Sequence, residues 1–480
     1  MTDLAIADAP VLLVVAPLLA ALAAFLSPRV AGTVGLAAGA LTAGASLLMA
    51  ARVLREGPLA TSLGGWGAPL GIDLHADGLS ALLIAMTCCV GFLVGLFVAA
   101  DPARGRDAAF WPFWLVLLAG LNAIYLSGDV FNIYVALEVI GLAAVGLTVA
   151  SGRREAVQAG LTYLFAGLVG SLLFLLGVHF LYAGAGRVDL HGLAADPGTA
   201  ASLALALMLA GLALKTALFP LHFWLPAAHS SATPPASAIL SALVLKASLY
   251  VALRLWFDVF APSDALGTLM GALGACAVIY GSVKALGAGR LKLLVAYSTV
   301  AQIGMMSLVF ALSGGAGAEQ AFRGAVYLML AHGVAKAAMF LAAGRIAAQA
   351  GHDRIADLGN ADRGPTGAQV AFAIAAVSLI GLPPSAGFVG KWLLLEGALV
   401  AGDWPWAAVL LGGTGLSAAY LVRVIARFLR SEPGSAPAGH GWSRADAVPL
   451  SLAVLSLGLG LGAAWPLDLL AADIPMETAP

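Results

Sequence analysis

Four lysines, Lys215, Lys246, Lys336 and Lys391, lie inside stretches of this 480-residue chain that are otherwise apolar. An ammonium group held at mid-membrane costs about 2.5 to 3.5 kcal/mol, so four cost about 10 kcal/mol unless partners or water offset it. The acid within reach by type is Glu138, alone and midway along "FNIYVALEVIGLAAVGL". A carboxylate beside Lys215 favours the charged amine, and withdrawing that acid or its water favours the neutral one. Such a pair either loads and unloads a proton or forms a static clamp between two helices. His332 and Lys336 in "AHGVAKAAMF" are four apart and share a helix face, so they can line one path. Imidazole passes protons in both directions near neutral pH. His179, a lone histidine in an apolar run, reads as a satisfied core residue.

A second set of polar groups surrounds these. His222 and His229 flank the "WLP" corner, where Pro226 interrupts the helix between them and no other span offers a matching histidine pair. That pattern argues against haem or metal ligation and leaves a proton-relay or water-organising role, or hydrogen bonding to carbonyls freed by the prolines. Tyr297, Ser298, Thr299 and Gln302 in "LKLLVAYSTVAQIG" give one span a hydroxyl and amide side, able to hold a water chain or to bond across helices. Asp129, after Gly128, reads as a helix N-cap. Glu396 beyond Lys391 is either an exit acid or a surface residue. No P-loop is present, Cys88, Cys89 and Cys276 form no C-x-x-C pair, and "GLGLG" at 458–462 lacks the strand and helix start of a dinucleotide site. No cofactor or metal is implied, and "GLGLG" reads as close helix packing.

The elements that must position these groups are membrane helices. The chain is 61% hydrophobic and 10% charged, with a mean hydropathy of +0.97, whereas soluble domains are about 25% charged. A net charge of -1 argues against a nucleic-acid partner. The N-terminus lacks the basic region of a cleavable signal, so its first apolar run is expected to be retained. Apolar windows predict an all-α polytopic membrane protein with about fourteen spans: 10–27, 30–51, 78–99, 109–126, 129–150, 157–183, 200–231, 236–258, 263–286, 292–314, 319–348, 369–401, 404–430 and 446–467. Basic residues in or near loops, among them Arg153, Arg154, Arg290, Lys292 and Arg354, favour the loops after odd-numbered spans by roughly three to one. The bias puts those loops in the cytoplasm and both acidic tails outside a cell membrane.

Spans seven and twelve are broken. The seventh runs into Pro220 and Pro226, and the twelfth into "GLPPSAG" with Pro383 and Pro384. Each break has a lysine within about two turns, and non-helical backbone at membrane depth persists only inside protein or against a wet cavity. Paired breaks in two halves point to a transport site in inverted repeats.

At this point the chain resembles the antiporter-like subunits shared by Mrp-type multisubunit cation/proton antiporters, respiratory complex I and membrane-bound hydrogenases. The resemblance is carried by "SGDVFNIYVALEV", "LKTALFPLHFWLPAAH", "SAILSALVLKASLYVALR", "KLLVAYSTVAQIG" and "GLPPSAGFVGKW", and it leans toward the D-type component of the Mrp antiporters. It implies two inverted five-helix repeats, helices 4–8 (109–258) and 9–13 (259–430). An N-terminal unit (1–108) precedes them and a C-terminal helix and tail (431–480) follow. It also implies a proton path from Glu138 and Lys215 through Lys246, His332 and Lys336 to Lys391. The expected function is proton translocation within a larger complex, with other membrane subunits, the lipid bilayer, protons and Na+ as partners. The rival readings are the pumping arm of a complex I-type NADH-quinone oxidoreductase or hydrogenase, and a structural membrane scaffold.

Overall fold

The computed structural model describes residues 9–67, 71–100, 109–260, 262–359, 365–430 and 442–472. The acidic tails and the segments at two of the expected unit boundaries, near 108 and 430, lie outside the described residues. The chain is a polytopic, almost wholly helical membrane protein. Its first half comprises α1 (Ala9–Leu26), α2 (Ala31–Glu56), α3 (Gly78–Ala99), α4 (Phe110–Leu126), α5 (Val130–Val149), α6 (Arg154–Ala185), the short α7 (Leu190–Ala195), α8 (Ala201–Thr216), α9 (Leu225–Ser231) and α10 (Pro234–Val259). The second half comprises α11 (Asp264–Gly287), α12 (Leu291–Ser307), α13 (Ala318–Ala350), α14 (Gly367–Ile380), α15 (Ala386–Val400), α16 (Trp404–Phe428), α17 (Ala447–Leu461) and α18 (Ala464–Ala471). Among the described residues, 11 helices are long and apolar enough to cross a membrane, and α4, α8 and α14 are shorter apolar helices. Helices satisfy their own backbone groups, which hydrocarbon cannot do for them.

Burial is arranged inside out relative to a soluble protein. Outer helices turn large apolar side chains outward, such as Phe25, Phe165 and Leu172, where acyl chains are the solvent. The two most enclosed helices, α10 and α13, are buried over their whole apolar windows, and they carry Lys246, His332 and Lys336. Small residues let backbones close in. A Cβ on Gly170 of α6 would lie 2.9 Å from the Gly211 carbonyl of α8 and 3.1 Å from Lys215 Cγ, so this contact sets where Lys215 sits. Gly460 packs so tightly on the Pro384 carbonyl that a Cβ would come within 1.9 Å.

The sequence expectations need two corrections and one addition. The 52–77 connection, for which no element was expected, holds a hairpin: β1 (Leu59–Ser62) pairs antiparallel with β2 (Asp73–Ala76), from Leu59 opposite Ala76 to Ser62 opposite Asp73. The last predicted span ends at Leu461 and resumes as α18 after Gly462, rather than running to 467. In the seventh span, the prolines do not make the break. α8 ends in a left-handed residue, Ala217 (φ 58), with Leu218 N–H donating to the Ala213 carbonyl at 2.9 Å and Ala217 N–H to that of Leu214 at 3.2 Å. Pro220 follows this turn, and Pro226 sits in the first turn of α9, where a missing N–H has no intrahelical partner to lose. The twelfth span breaks in the same way at Gly381 (φ 87), with Leu382 N–H on the Val377 carbonyl and Gly381 N–H on that of Ser378, both at 3.1 Å. Both are Schellman turns, and Pro383 and Pro384 lie just beyond the second one.

Candidate functional site

The breaks matter because each brings helix-end carbonyls to depth, where donors from outside the helix reach them. At the first, Trp224 Nε1 donates to the Leu214 carbonyl at 2.9 Å. At the second, Lys391 Nζ donates to the carbonyls of Leu379 and Ile380, each at 2.9 Å, so an ammonium caps the negative end of α14. Lys391 stands one turn into α15, whose start is capped by Ser385. One break therefore uses an indole, and the other a charge that can be gained or lost.

Lys215, in the last turn of α8, faces Glu138 on α5 with Nζ 3.9 Å from Oε1. That is an ion pair without a hydrogen bond, and Glu138 Oε1 has no hydrogen-bond partner among the described residues. A cavity of about 30 Å³ lies between them, reaching Tyr163 and, on α10, Ser248. A water needs about 10 to 15 Å³ of such space and two or more polar partners, both of which this cavity offers.

On α10 a π-helical segment, Leu240–Val244, immediately precedes Lys246. π segments recur at functional sites because they displace backbone carbonyls from the regular ladder. Here Lys246 Nζ donates to the Ser241 carbonyl and lies 2.6 Å from His332 Nδ1 on α13. With the amine charged, Nδ1 is the acceptor and the ring proton sits on Nε2, which has no partner among the described residues. A proton can therefore move between Nζ and Nδ1 without rearrangement. One turn along α13, Lys336 Nζ donates to the Val295 carbonyl at 2.8 Å and to Ser298 Oγ, both on α12. Thr299 Oγ1 shares a 2.9 Å hydrogen bond with Ser241 Oγ and bonds the Val295 carbonyl at 3.2 Å, which ties the surroundings of Lys246 to those of Lys336. Farther along α12, Gln302 Nε2 donates to the Leu379 carbonyl at 3.2 Å, the same oxygen that Lys391 holds, and to Ser417 Oγ at 3.3 Å.

Lys246, His332, Lys336 and Lys391 thus form one interior row, with Ser298, Thr299 and Gln302 on α12 between its members, and the Glu138–Lys215 pair stands at its head, bordering the same α10 across the small cavity. Lys246 and Lys336 are 0% exposed and Lys391 7%. The other singled-out residues lie off this row. The His222 ring stacks on Phe219 and meets Tyr280 edge-on, centroids 5.5 and 4.7 Å away. His229 is buried against Phe340. Asp129 caps α5 by accepting from Asn132 N–H at 2.7 Å, on a 480 Å³ cavity at the far end of that helix. Sequence reasoning missed Ser241, Ser248 and Trp224, and it put Lys292 in a loop, although Lys292 is buried. Helical spacing holds the signal for Lys292: with Thr299 and Gln302 it falls at i, i+7 and i+10 on one face.

A row of amines joined by carbonyls, hydroxyls and an imidazole, with a carboxylate beside one end, consists of the residues that the resemblance singles out. The model of the family described as NADH:quinone oxidoreductase/Mrp antiporter, TM matches residues 127–417, a stretch that contains every member of the row. The chain belongs to this family. Among its relatives, the N subunit of the NADH-quinone oxidoreductase of Desulforudis audaxviator is 36% identical over 482 residues, covering 95% of each chain. The D subunit of the Na(+)/H(+) antiporter of Bacillus subtilis is 30% identical, covering 91% of this chain and 89% of the relative. A chain in the Mrp complex of Dietzia sp. DQ12-45-1b superposes with a TM-score of 0.89 at 27% identity, covering 98% of this chain and 96% of that one.

Proposed function

We propose that this chain is the proton-translocating subunit of a multisubunit cation/proton antiporter of the Mrp type, with Na+ as the exchanged cation. It is a transport subunit and not an enzyme. Protons pass along Glu138 and Lys215, Lys246, His332 and Lys336, and Lys391, linked through Ser298, Thr299 and Gln302. The observation that carries this reading is the Lys246–His332 contact within a buried row that ends at the Lys391 cap. Lys246 has a neutral proton acceptor in the His332 ring, Lys336 and Lys391 are held by neutral carbonyls and a hydroxyl, and Glu138 is the titratable partner of Lys215, so the held charge is compensated at each site. The two matching Schellman breaks support the division into inverted repeats at 109–258 and 259–430. We count fourteen crossings, with each broken pair as one, and both termini outside a cell membrane. Exchange with a cation site in neighbouring subunits would supply the driving force.

The experiment is cation-dependent proton flux in vesicles holding the complete complex. Lys215→Ala and Lys391→Ala should each abolish it, and unchanged flux in both would sink the proposal. A second reading is favoured by the 36% identical relative named as a subunit of an NADH-quinone oxidoreductase: the same row would then serve a redox-driven pump. Co-purification from native membrane separates the two. Colourless membrane subunits and NADH-independent antiport fit the first, and flavin or iron-sulfur absorbance with soluble subunits fits the second.

A further inference from the structure

We propose that Lys292 is the proton-loading residue of the row, taking protons from a cavity on the odd-loop face and passing them to Lys336 by way of His229. This rests on the transport reading above. The cavity has a volume of 410 Å³ and is lined by Arg153, Ser230, Arg290, Lys292, His352 and Asp353 among others. That is room for on the order of ten waters. Its polar walls come from the C-terminal ends of α5, α9 and α13 and the N-terminal end of α12, which share the face opposite the Asp129 end of α5. The cavity opens at the surface, where the Arg290 side chain, paired with Asp353 at 3.0 Å, is 60% exposed. Lys292 forms its floor and is 7% exposed.

A surface lysine would snorkel outward, but this one turns inward. Lys292 Nζ donates to the Ala232 carbonyl at 2.5 Å, at the end of α9. The same carbonyl lies 3.4 Å from Ser237 Oγ, which bonds the His229 carbonyl at 2.7 Å. The His229 ring is 1% exposed, its Nδ1 has no hydrogen-bond partner among the described residues, and it lies within electrostatic reach of Lys246, Lys336 and Lys292. Val295, whose carbonyl holds Lys336 Nζ, is one turn beyond Lys292 on the same face of α12, about 5 Å along the axis. In each transfer one proton moves and no electron does. Lys292 gains a proton from cavity water and gives one up inward, and the imidazole accepts on one nitrogen and releases from the other.

The competing role for Lys292 is a fixed cap on the Ala232 carbonyl, and substitution separates the two. Lys292→Arg keeps a charged donor for that carbonyl but does not give up a proton at neutral pH, whereas Lys292→Gln removes the charge. With the complex assembled, both should lower cation-dependent proton flux by about a hundredfold. Wild-type flux in Lys292→Arg would overturn the proposal. Lys391→Met in the same vesicles is the reference: if it also keeps flux, the transport reading has failed, and if it alone loses flux, only the Lys292 inference has. If the Lys292 variants do not assemble, Ser230→Cys takes their place. A membrane-impermeant, positively charged thiol reagent on the odd-loop side should remove most of its flux and spare the parent chain. Flux that survives full modification would overturn the proposal.

Discussion

Lys391→Met tests the difference between a proton carrier and a helix cap. Lys391 holds the Leu379 and Ile380 carbonyls at 2.9 Å each. Hydrogen bonds to a charged donor contribute about 1.5 to 3 kcal/mol apiece, about 3 to 6 kcal/mol for the two. Keeping the ammonium at membrane depth costs about 2.5 to 3.5 kcal/mol, so its net contribution to stability lies between about -0.5 and 3.5 kcal/mol. Methionine fills much the same space with an unbranched, adaptable chain. The variant should therefore assemble and melt close to the parent, while flux falls by about a hundredfold, the low end of what a positioned proton-transfer group supplies. The assay is the collapse of a pH gradient on cation addition, read with a pH-sensitive dye in everted vesicles of the whole complex. Assembly is checked in parallel by the subunits that co-purify. Lys391→Arg sharpens the test, because arginine can reach both carbonyls but stays protonated, and it should fail as methionine does. The reasoning is refuted if the methionine variant assembles and keeps its flux, or if arginine restores it, since Lys391 would then only cap α14.

Three further outcomes are expected. Glu138→Gln removes the carboxylate 3.9 Å from Lys215 and should lower flux at least tenfold, by about 1.4 kcal/mol or more in barrier, with the complex intact; parental flux in the same vesicles would count against a switching pair. Gly170→Val should push α6 from α8, costing about 1 to 3 kcal/mol and lowering flux by moving Lys215, whereas Gly167→Ala, with nothing within 4 Å of its Cβ, should match the parent in melting and flux. At the N-terminal end of α3, burial alone would raise the Asp77 carboxyl, but the Arg254 guanidinium and the Ser80 donors outweigh it and hold the group below its ordinary value. A depressed carboxylate adds stability above its unfolded value of about 3.9 and loses it as pH falls through the folded one. Asp77→Asn should therefore melt below the parent at neutral pH, with the gap closing below about pH 4; a gap that stays constant in melts from about pH 3 to 7 would show that the ion pair is not its source.

The amino-acid sequence by itself determined the medium, the helical class and the list of ionisable residues that a membrane interior must accommodate. These follow from local quantities. Apolar runs of span length, the free-energy cost of a lysine within them and the proline-marked breaks can all be read one window at a time. The five motifs in order also identified the family, since each holds an ionisable or amide residue inside an apolar run together with its immediate neighbours. Tertiary structure alone decided who meets whom. The acceptors for Lys336 and Lys391 are backbone carbonyls of Val295, Leu379 and Ile380, and a carbonyl has no residue letter. Ala217 could not be read as the residue that ends α8, because alanine favours helices and adopts φ 58 only where surrounding packing imposes it. Lys292 looks like an ordinary loop cation beside a span end until α9 is brought over it. The cost of burying a charge is a property of the residue and its window, but its compensation comes from groups distant in the chain, which only the packed helices bring together.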